Sequence, residues 1–194
     1  FDSAPLAPDY AFILKEEKQH FETGLKALNK LTSGKVYVGI SQRQPIDVKN
    51  ATSVIFDGPH PAGNVGIQIN HIAPIDKGDT VWTMSALDVL FIGRLFDKGI
   101  ADFSRIVAVT GSEIDDPHYV RTRIGASIAS ITQGMVKAVE YEQRYISGNV
   151  LTGVKTNADG YIGATHSQIT VIPEGNNYDE FLGWASLNPH KYST

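Results

Sequence analysis

Ser85-Ala86-Leu87-Asp88-Val89-Leu90-Phe91-Ile92-Gly93-Arg94-Leu95-Phe96-Asp97-Lys98-Gly99, followed after a short connection by Arg105-Ile106-Val107-Ala108-Val109, decides the fold class. Ser85 precedes the apolar run and Asp88 follows three residues on. That is the pattern of a helix start in which a hydroxyl and a carboxylate satisfy first-turn amides. Leu87, Val89, Leu90, Phe91, Ile92, Leu95 and Phe96 make the helix apolar nearly all round, the pattern of a buried helix. Gly99 stands at the position where a left-handed residue ends such a helix. The β-branched run Arg105 to Val109 then predicts a strand. Strands separated by helices argue for a parallel α/β sheet.

Upstream the alternation continues. Leu14, Phe21, Leu25 and Leu28 fall on one helical stripe after Ala7-Pro8-Asp9, and Ser33-Gly34 stops it. Lys35 to Ile40 predicts a strand, and Ser53 to Phe56 a second, buried one. A glycine- and proline-rich connection, Gly58 to Gly66, follows. Downstream the character changes at the acidic, turn-rich stretch Thr110 to Pro117, where a domain boundary is expected, near residue 112. Beyond it, strands are expected at His118–Thr122, Tyr145–Val150, Tyr161–Ala164 and Gln168–Ile172, with one helical piece at Ala126–Thr132. This pattern suggests a compact α+β module. A polar tail from Gly175 and a start at Phe1 rather than Met lead to the expectation of a fragment of a longer protein.

Composition narrows the function classes. The 194 residues carry 17 Lys+Arg against 21 Asp+Glu, a formal charge of −4. Such a chain has no net attraction for phosphate backbones, so nucleic acid is not an expected partner. The absence of cysteine excludes disulfides, thiolate zinc, a cysteine nucleophile and cysteine-ligated iron–sulfur clusters within these residues. The longest uncharged run, Gly58 to Ile75, is broken by Pro59, Pro61 and Pro74, so no membrane span is expected.

The Gly58 to Gly66 segment is the most unusual feature. It follows a predicted strand, where ligands bind in open α/β sheets, and its glycines would let amides approach a phosphate or a planar ring. Yet Asn64 and Val65 stand where a phosphate loop has Lys and Ser/Thr, and Pro59 and Pro61 remove two donors. A rigid crossover is the favoured reading, with Gly58, His60, Gly63 and Gly66 as candidate ligand or subunit contacts. His60 would donate to a ligand carbonyl or fix the turn, and the turn is favoured. The histidines show no metal-ligand spacing, so no metal site is expected. No nucleophile elbow is present, and Ser127 reads as a helix start. Glu16-Glu17 and Asp115-Asp116 are adjacent carboxylates that read as solvated surface. Arg121 and Arg123 share one strand face. They suit an anion, a partner carboxylate or the Asp115-Asp116 turn, with docking or an internal ion pair favoured over ligand binding. These residues form no catalytic constellation.

Five stretches in order carry a resemblance: FDSAPLAPD (1–9), GPHPAG (58–63), TVWTMSALDVLFIGRLF (80–96), VRTRIGAS (120–127) and RYISGNVLTG (144–153). Together they resemble the A-type subunit of the sodium-translocating NADH:quinone oxidoreductase of bacteria, whose chain begins well before Phe1 and continues past Thr194. The resemblance implies an α/β fold over residues 1–112, Rossmann-like and similar to the flavoprotein subunit of respiratory complex I. It implies a small α+β domain of the soluble-ligand-binding β-grasp type over 113–194, with the start of a C-terminal segment. It further implies a peripheral subunit on the cytoplasmic side of the bacterial inner membrane, bound to the other subunits and associated with quinone. The whole complex would couple NADH oxidation and quinone reduction to sodium export, and would hold quinone, FAD, FMN and iron–sulfur centres. The complex I relatives carry an acidic residue before the proline matching Pro5. Here Ala4 stands there and cannot accept from nucleotide hydroxyls. The fragment is therefore expected to bind no cofactor itself and to show no NADH oxidation alone. The alternatives are a true FMN- and NADH-binding domain and a small-ligand β-grasp module. Exposed apolar surface is expected where other subunits dock.

Overall fold

The computed structural model describes residues 1–176; all but the first two residues of the polar tail from Gly175 lie outside them. The Asp9 carboxylate accepts from the amides of Ala11 and Phe12 and so opens α1 (Tyr10–Leu14). α2 (Lys18–Leu31) follows after a turn at 15–17, so the single expected helix is two. Phe21 and Leu25 of its apolar stripe are buried. β1 (Tyr37–Ile40) and β2 (Thr52–Ile55) pair in parallel, Tyr37 opposite Thr52 and Ile40 opposite Ile55. β2 is not the buried strand its sequence suggests: Thr52, Ser53 and Ile55 are exposed, because β2 is an edge of a two-stranded sheet.

α3 (Val65–Ile72) has no counterpart in the sequence pattern, since its first residues read as part of the glycine-rich connection. α4 (Ala86–Lys98) begins and ends as its sequence dictates. The Ser85 hydroxyl accepts from the Asp88 amide at 3.2 Å and donates to the Asp88 carboxylate at 2.7 Å. Gly99 is left-handed (φ 70°) and its amide donates to the Leu95 carbonyl. The helix is buried on one side only, however. Leu87, Leu90, Gly93 and Arg94 are buried, whereas Leu95 and Phe96 are exposed. α2 and α4 cross at glycines: a methyl on Gly24 would stand 2.9 Å from Val89 Cγ1, and one on Gly93 would overlap the His20 carbonyl oxygen. Side chains at these points would hold the helices apart.

The second sheet is mixed and contains β3 (Ser104–Thr110), β4 (His118–Arg123), β5 (Gln143–Ser147), β6 (Val154–Thr156) and β7 (Gln168–Pro173), in the order β4-β3-β7-β5-β6. The β3–β7 pair is parallel and the other three are antiparallel. α5 (Ile128–Thr132) covers it, capped by the Ser127 hydroxyl. The strand at 105–109, expected to extend the first parallel sheet, instead belongs here. It forms a hairpin with β4, Val109 opposite His118, and Ala108 pairs with Gln168. The strand expected over Tyr145–Val150 stops at Ser147, where Gly148 turns the backbone at φ 101°. Of the segment Tyr161–Ala164 only Tyr161 pairs, as an isolated bridge to Ser127, and β6 is a strand that the sequence pattern does not predict.

β3 serves two cores. Val107 and Val109 pack with Ile128, Ile131, Ile169 and Val171, while Ile106 packs against the cluster of Ile13, Leu14, Phe21, Leu25 and Leu90. Tyr119 strengthens the seam: its ring stacks on Phe12 at 4.7 Å between centroids, and its hydroxyl accepts from the Asp9 amide at 2.8 Å. No described helix is long and apolar enough to cross a membrane.

Candidate functional site

The parallel pair delivers its chain to the Gly58–Asn64 loop, which leads into α3. The segment Phe1–Ala4 lies against that loop. The Phe1 amine donates to the Gly39 carbonyl at 2.9 Å, and Asp2 accepts from the Ala4 amide at 2.8 Å. The Ser3 hydroxyl accepts from the Gly63 amide at 2.8 Å and lies 3.2 Å from His60 Nδ1. Gln68 of α3 donates to the Gly63 carbonyl at 3.2 Å. Of the sequence candidates, His60 and Gly63 are thus brought together on Ser3. Gly58 takes φ 137° to start the turn, and Gly66 lies in the first turn of α3 with nothing within 4 Å of a would-be methyl.

The amide inventory of this loop decides its chemistry. Pro59 and Pro61 have no N–H. The Ala62 and Asn64 amides are spent on the Pro59 and Pro61 carbonyls, and that of Gly63 on Ser3. The space beside Gly63 is filled by the chain itself, since a methyl there would overlap the Ser3 nitrogen and stand 2.9 Å from the Ser3 hydroxyl. A pyrophosphate cradle needs unspent amides and open space above the glycines. At Gly63, then, the chain offers a phosphate neither an unspent amide nor open space, whereas the Gly58 and His60 amides and the first-turn amides of α3 enter no hydrogen bond among the described residues.

Arg121 and Arg123 both reach solvent from β4. Arg121 lies 3.8 Å from Glu16 and 3.9 Å from Glu17, across the seam to the α1–α2 turn, not beside Asp115-Asp116. Arg123 enters no ion pair among the described residues and lines a cleft with Tyr161. No hydrogen bond or ion pair among the described residues joins either arginine to the His60 loop.

Sequence reasoning misses two polar clusters. Glu17, which reads as solvated, receives two bonds from buried Arg94, at 2.6 and 3.3 Å. Arg94 also donates to the Ser104 carbonyl, and its guanidinium holds the Glu17 carboxyl below the ordinary carboxylate range. Arg94 interrupts an apolar helix in the sequence, and that is the only available signal. In the second cluster Ser147 accepts from the Gly163 amide at 2.9 Å and lies 2.8 Å from His166 Nδ1. Burial, with Arg105 nearby, pushes the His166 imidazole below its usual value. Among the described residues no group of three His, Cys, Asp or Glu could hold a metal ion.

Residues 1–101 match the family model described as the NqrA second alpha/beta domain, and residues 106–158 match the one described as the NQRA C-terminal domain. The chain belongs to the NqrA family. Similar proteins share one description, the A-type subunit of the Na(+)-translocating NADH-quinone reductase. That of Neisseria meningitidis serogroup C is 40% identical over 196 residues, covering 99% of this chain and 43% of its own. That of Hahella chejuensis is 42% identical over 199 residues with the same coverage, and that of Yersinia pestis biovar Antiqua 40% over 196. The chain spans less than half the length of these NqrA relatives. The mixed α/β architecture agrees with the family description of its first part.

Proposed function

We propose that this NqrA-family chain forms structural, quinone-associated scaffold within the NqrA component of the sodium-translocating NADH:quinone reductase, and is not itself the NADH site. The observation that carries this reading is the closure of the loop at Gly63, whose amide is spent on the Ser3 hydroxyl beside His60 and whose open face is filled by the chain itself. A loop with two prolines, and with its Ala62, Gly63 and Asn64 amides spent internally, fits a rigid crossover better than a nucleotide cradle. The name that the relatives share supplies the complex: its other subunits are the partners, and NADH oxidation coupled to quinone reduction and sodium transport is the activity of the whole. FAD, FMN, quinone and iron–sulfur centres belong to that complex in this reading. Its place is peripheral, on the cytoplasmic side of the bacterial inner membrane.

The finer fold reading follows the same line. The first unit is Rossmann-like, a parallel β1–β2 pair flanked by helices. The second is a β-grasp, supported by its parallel β3–β7 pair flanked by antiparallel strands around α5. The hydrogen bonding of β3 favours a boundary between Ile100 and Ser104 rather than near residue 112.

Titrating the 194-residue chain into FMN while following flavin fluorescence tests the nucleotide side of this reading. No saturable quenching and no NADH oxidation are expected. Saturable FMN binding abolished by substitutions in the His60 loop would restore the nucleotide-site reading. The assembly side is tested by adding the remaining subunits and looking for a stable complex by native mass spectrometry; failure of a longer chain carrying these domains to join them would reject it.

A further inference from the structure

A cleft of about 720 Å³ opens where β4 turns into α5, at the opposite end of the strand from its hairpin to β3. That volume lies within the range of small-molecule pockets. Thr122 and Arg123 of β4, Ser127 and Ser130 at the start of α5, and Tyr161 line it, and no carboxylate does. Gly125 and Ala126 leave the floor free of bulk.

The bonding here is one-sided. Arg121, two residues back, lies beside the carboxylates of Glu16 and Glu17, but the Arg123 guanidinium has no carboxylate partner among the described residues. The Ser127 hydroxyl accepts from the Ser130 amide at 3.3 Å, and its own proton has no acceptor among the described residues. The Ser130 hydroxyl is spent on the Ser127 carbonyl. The hydroxyls of Thr122 and Tyr161 enter no hydrogen bond among the described residues. The Ser104 hydroxyl, also in the lining, is spent on the Asp102 carboxylate behind it, so the cleft gathers one guanidinium and three unspent hydroxyl donors with no carboxylate in its lining. In a chain of net charge −4 that is a local inversion of sign. The Tyr161 ring, 68% exposed, stands beside it because its backbone bridges to Ser127. Donors in excess call for an oxyanion, and an open aromatic face calls for a flat partner to stack on it.

We propose that this cleft binds a small aromatic carboxylate, its oxyanion on Arg123 and the hydroxyls and its ring against Tyr161. Benzoate is the probe and acetate the ringless comparison, titrated into the ¹⁵N-labelled chain at low salt. The expected result is saturable shifts of the Gly125, Ala126 and Ser127 amides, with benzoate binding several-fold tighter than acetate. Arg123→Ala removes a charge-assisted contact and should weaken benzoate about tenfold or more. Tyr161→Ala should reduce benzoate to the affinity of acetate. Both side chains are exposed, and an unchanged amide spectrum elsewhere shows that each variant is folded. Shifts that do not saturate, or that survive Arg123→Ala, overturn the site. Equal binding of benzoate and acetate to the unaltered chain overturns the ring assignment.

Discussion

Replacing Gly93 by alanine tests the packing that holds the first unit together. The added methyl would overlap the His20 carbonyl oxygen and stand 2.6 Å from its carbon and 2.9 Å from the Gly24 nitrogen, where ordinary contact begins near 3.4 Å. All three obstacles are backbone atoms of α2, so no side chain can swing aside. The helices must part by about 1 Å, at a separation where dispersion contacts weaken steeply. That lifts Phe21 and Leu25, now 3% and 1% exposed, away from Leu90. Overpacking of this kind costs about 3 kcal/mol at the upper end of its usual range. Alanine's helix propensity returns about 1 kcal/mol. The net loss is about 2 kcal/mol, or about 4–8 °C in melting temperature for a chain of this size. Gly66→Ala is the matched control: another helical glycine, but with nothing within 4 Å of the new methyl. It should raise stability by about 0.5–1 kcal/mol. Circular dichroism melts, with urea midpoints alongside, read both. A Gly93→Ala chain melting at or above the unaltered protein would refute the close crossing of α2 and α4.

Arg94→Met leaves the part-buried Glu17 carboxylate without its partner and should lower the urea-derived stability by about 3 kcal/mol; a change under about 0.5 kcal/mol, the scale of ordinary surface substitutions, contradicts a structural role for the pair. Glu174 is held down at about 2 by hydrogen bonds from Arg144 and then Lys155. Its folded value is depressed, so its contribution is present above the unfolded value of about 4.3 and fades as pH falls toward 2. Glu174→Gln should therefore be less stable at neutral pH and converge with the unaltered chain in acid, and parallel stability–pH curves would count against the assignment. Ser3→Ala removes the acceptor of the Gly63 amide and should cost about 1 kcal/mol. Hydrogen exchange at Gly63 should quicken selectively, and unchanged protection there would show that Ser3 does not close the loop.

What can be read from the sequence is local. Ser85, Asp88 and Gly99 announce both ends of α4, because caps act within one turn of chain. Asp9 and Ser127 likewise mark the starts, though not the ends, of α1 and α5. What fails is long-range. Nothing in Arg105 to Val109 says whether it pairs with β1 or with Gln168–Pro173, about sixty residues away, and the hairpin to β4 settles it. Leu95 and Phe96 read as buried because apolar character does not reveal which side of a helix finds a partner. The prolines of the 58–66 loop show at once that two amide donors are missing, yet the clamp from Ser3 joins residues sixty positions apart and leaves no trace in the sequence. Of Arg121 and Arg123, for which docking or an internal ion pair is expected, only Arg121 approaches carboxylates, and these come from the α1–α2 turn rather than from Asp115-Asp116.

The double duty of β3 carries a mechanical meaning. Its hydrogen bonds belong to the later sheet, while Ile106, half-buried, packs against the earlier core. Severing the chain between Ile100 and Ser104 would strip a side chain from one half and a floor from the other. The two halves should therefore melt in a single step, because neither keeps its packing intact without the strand they share.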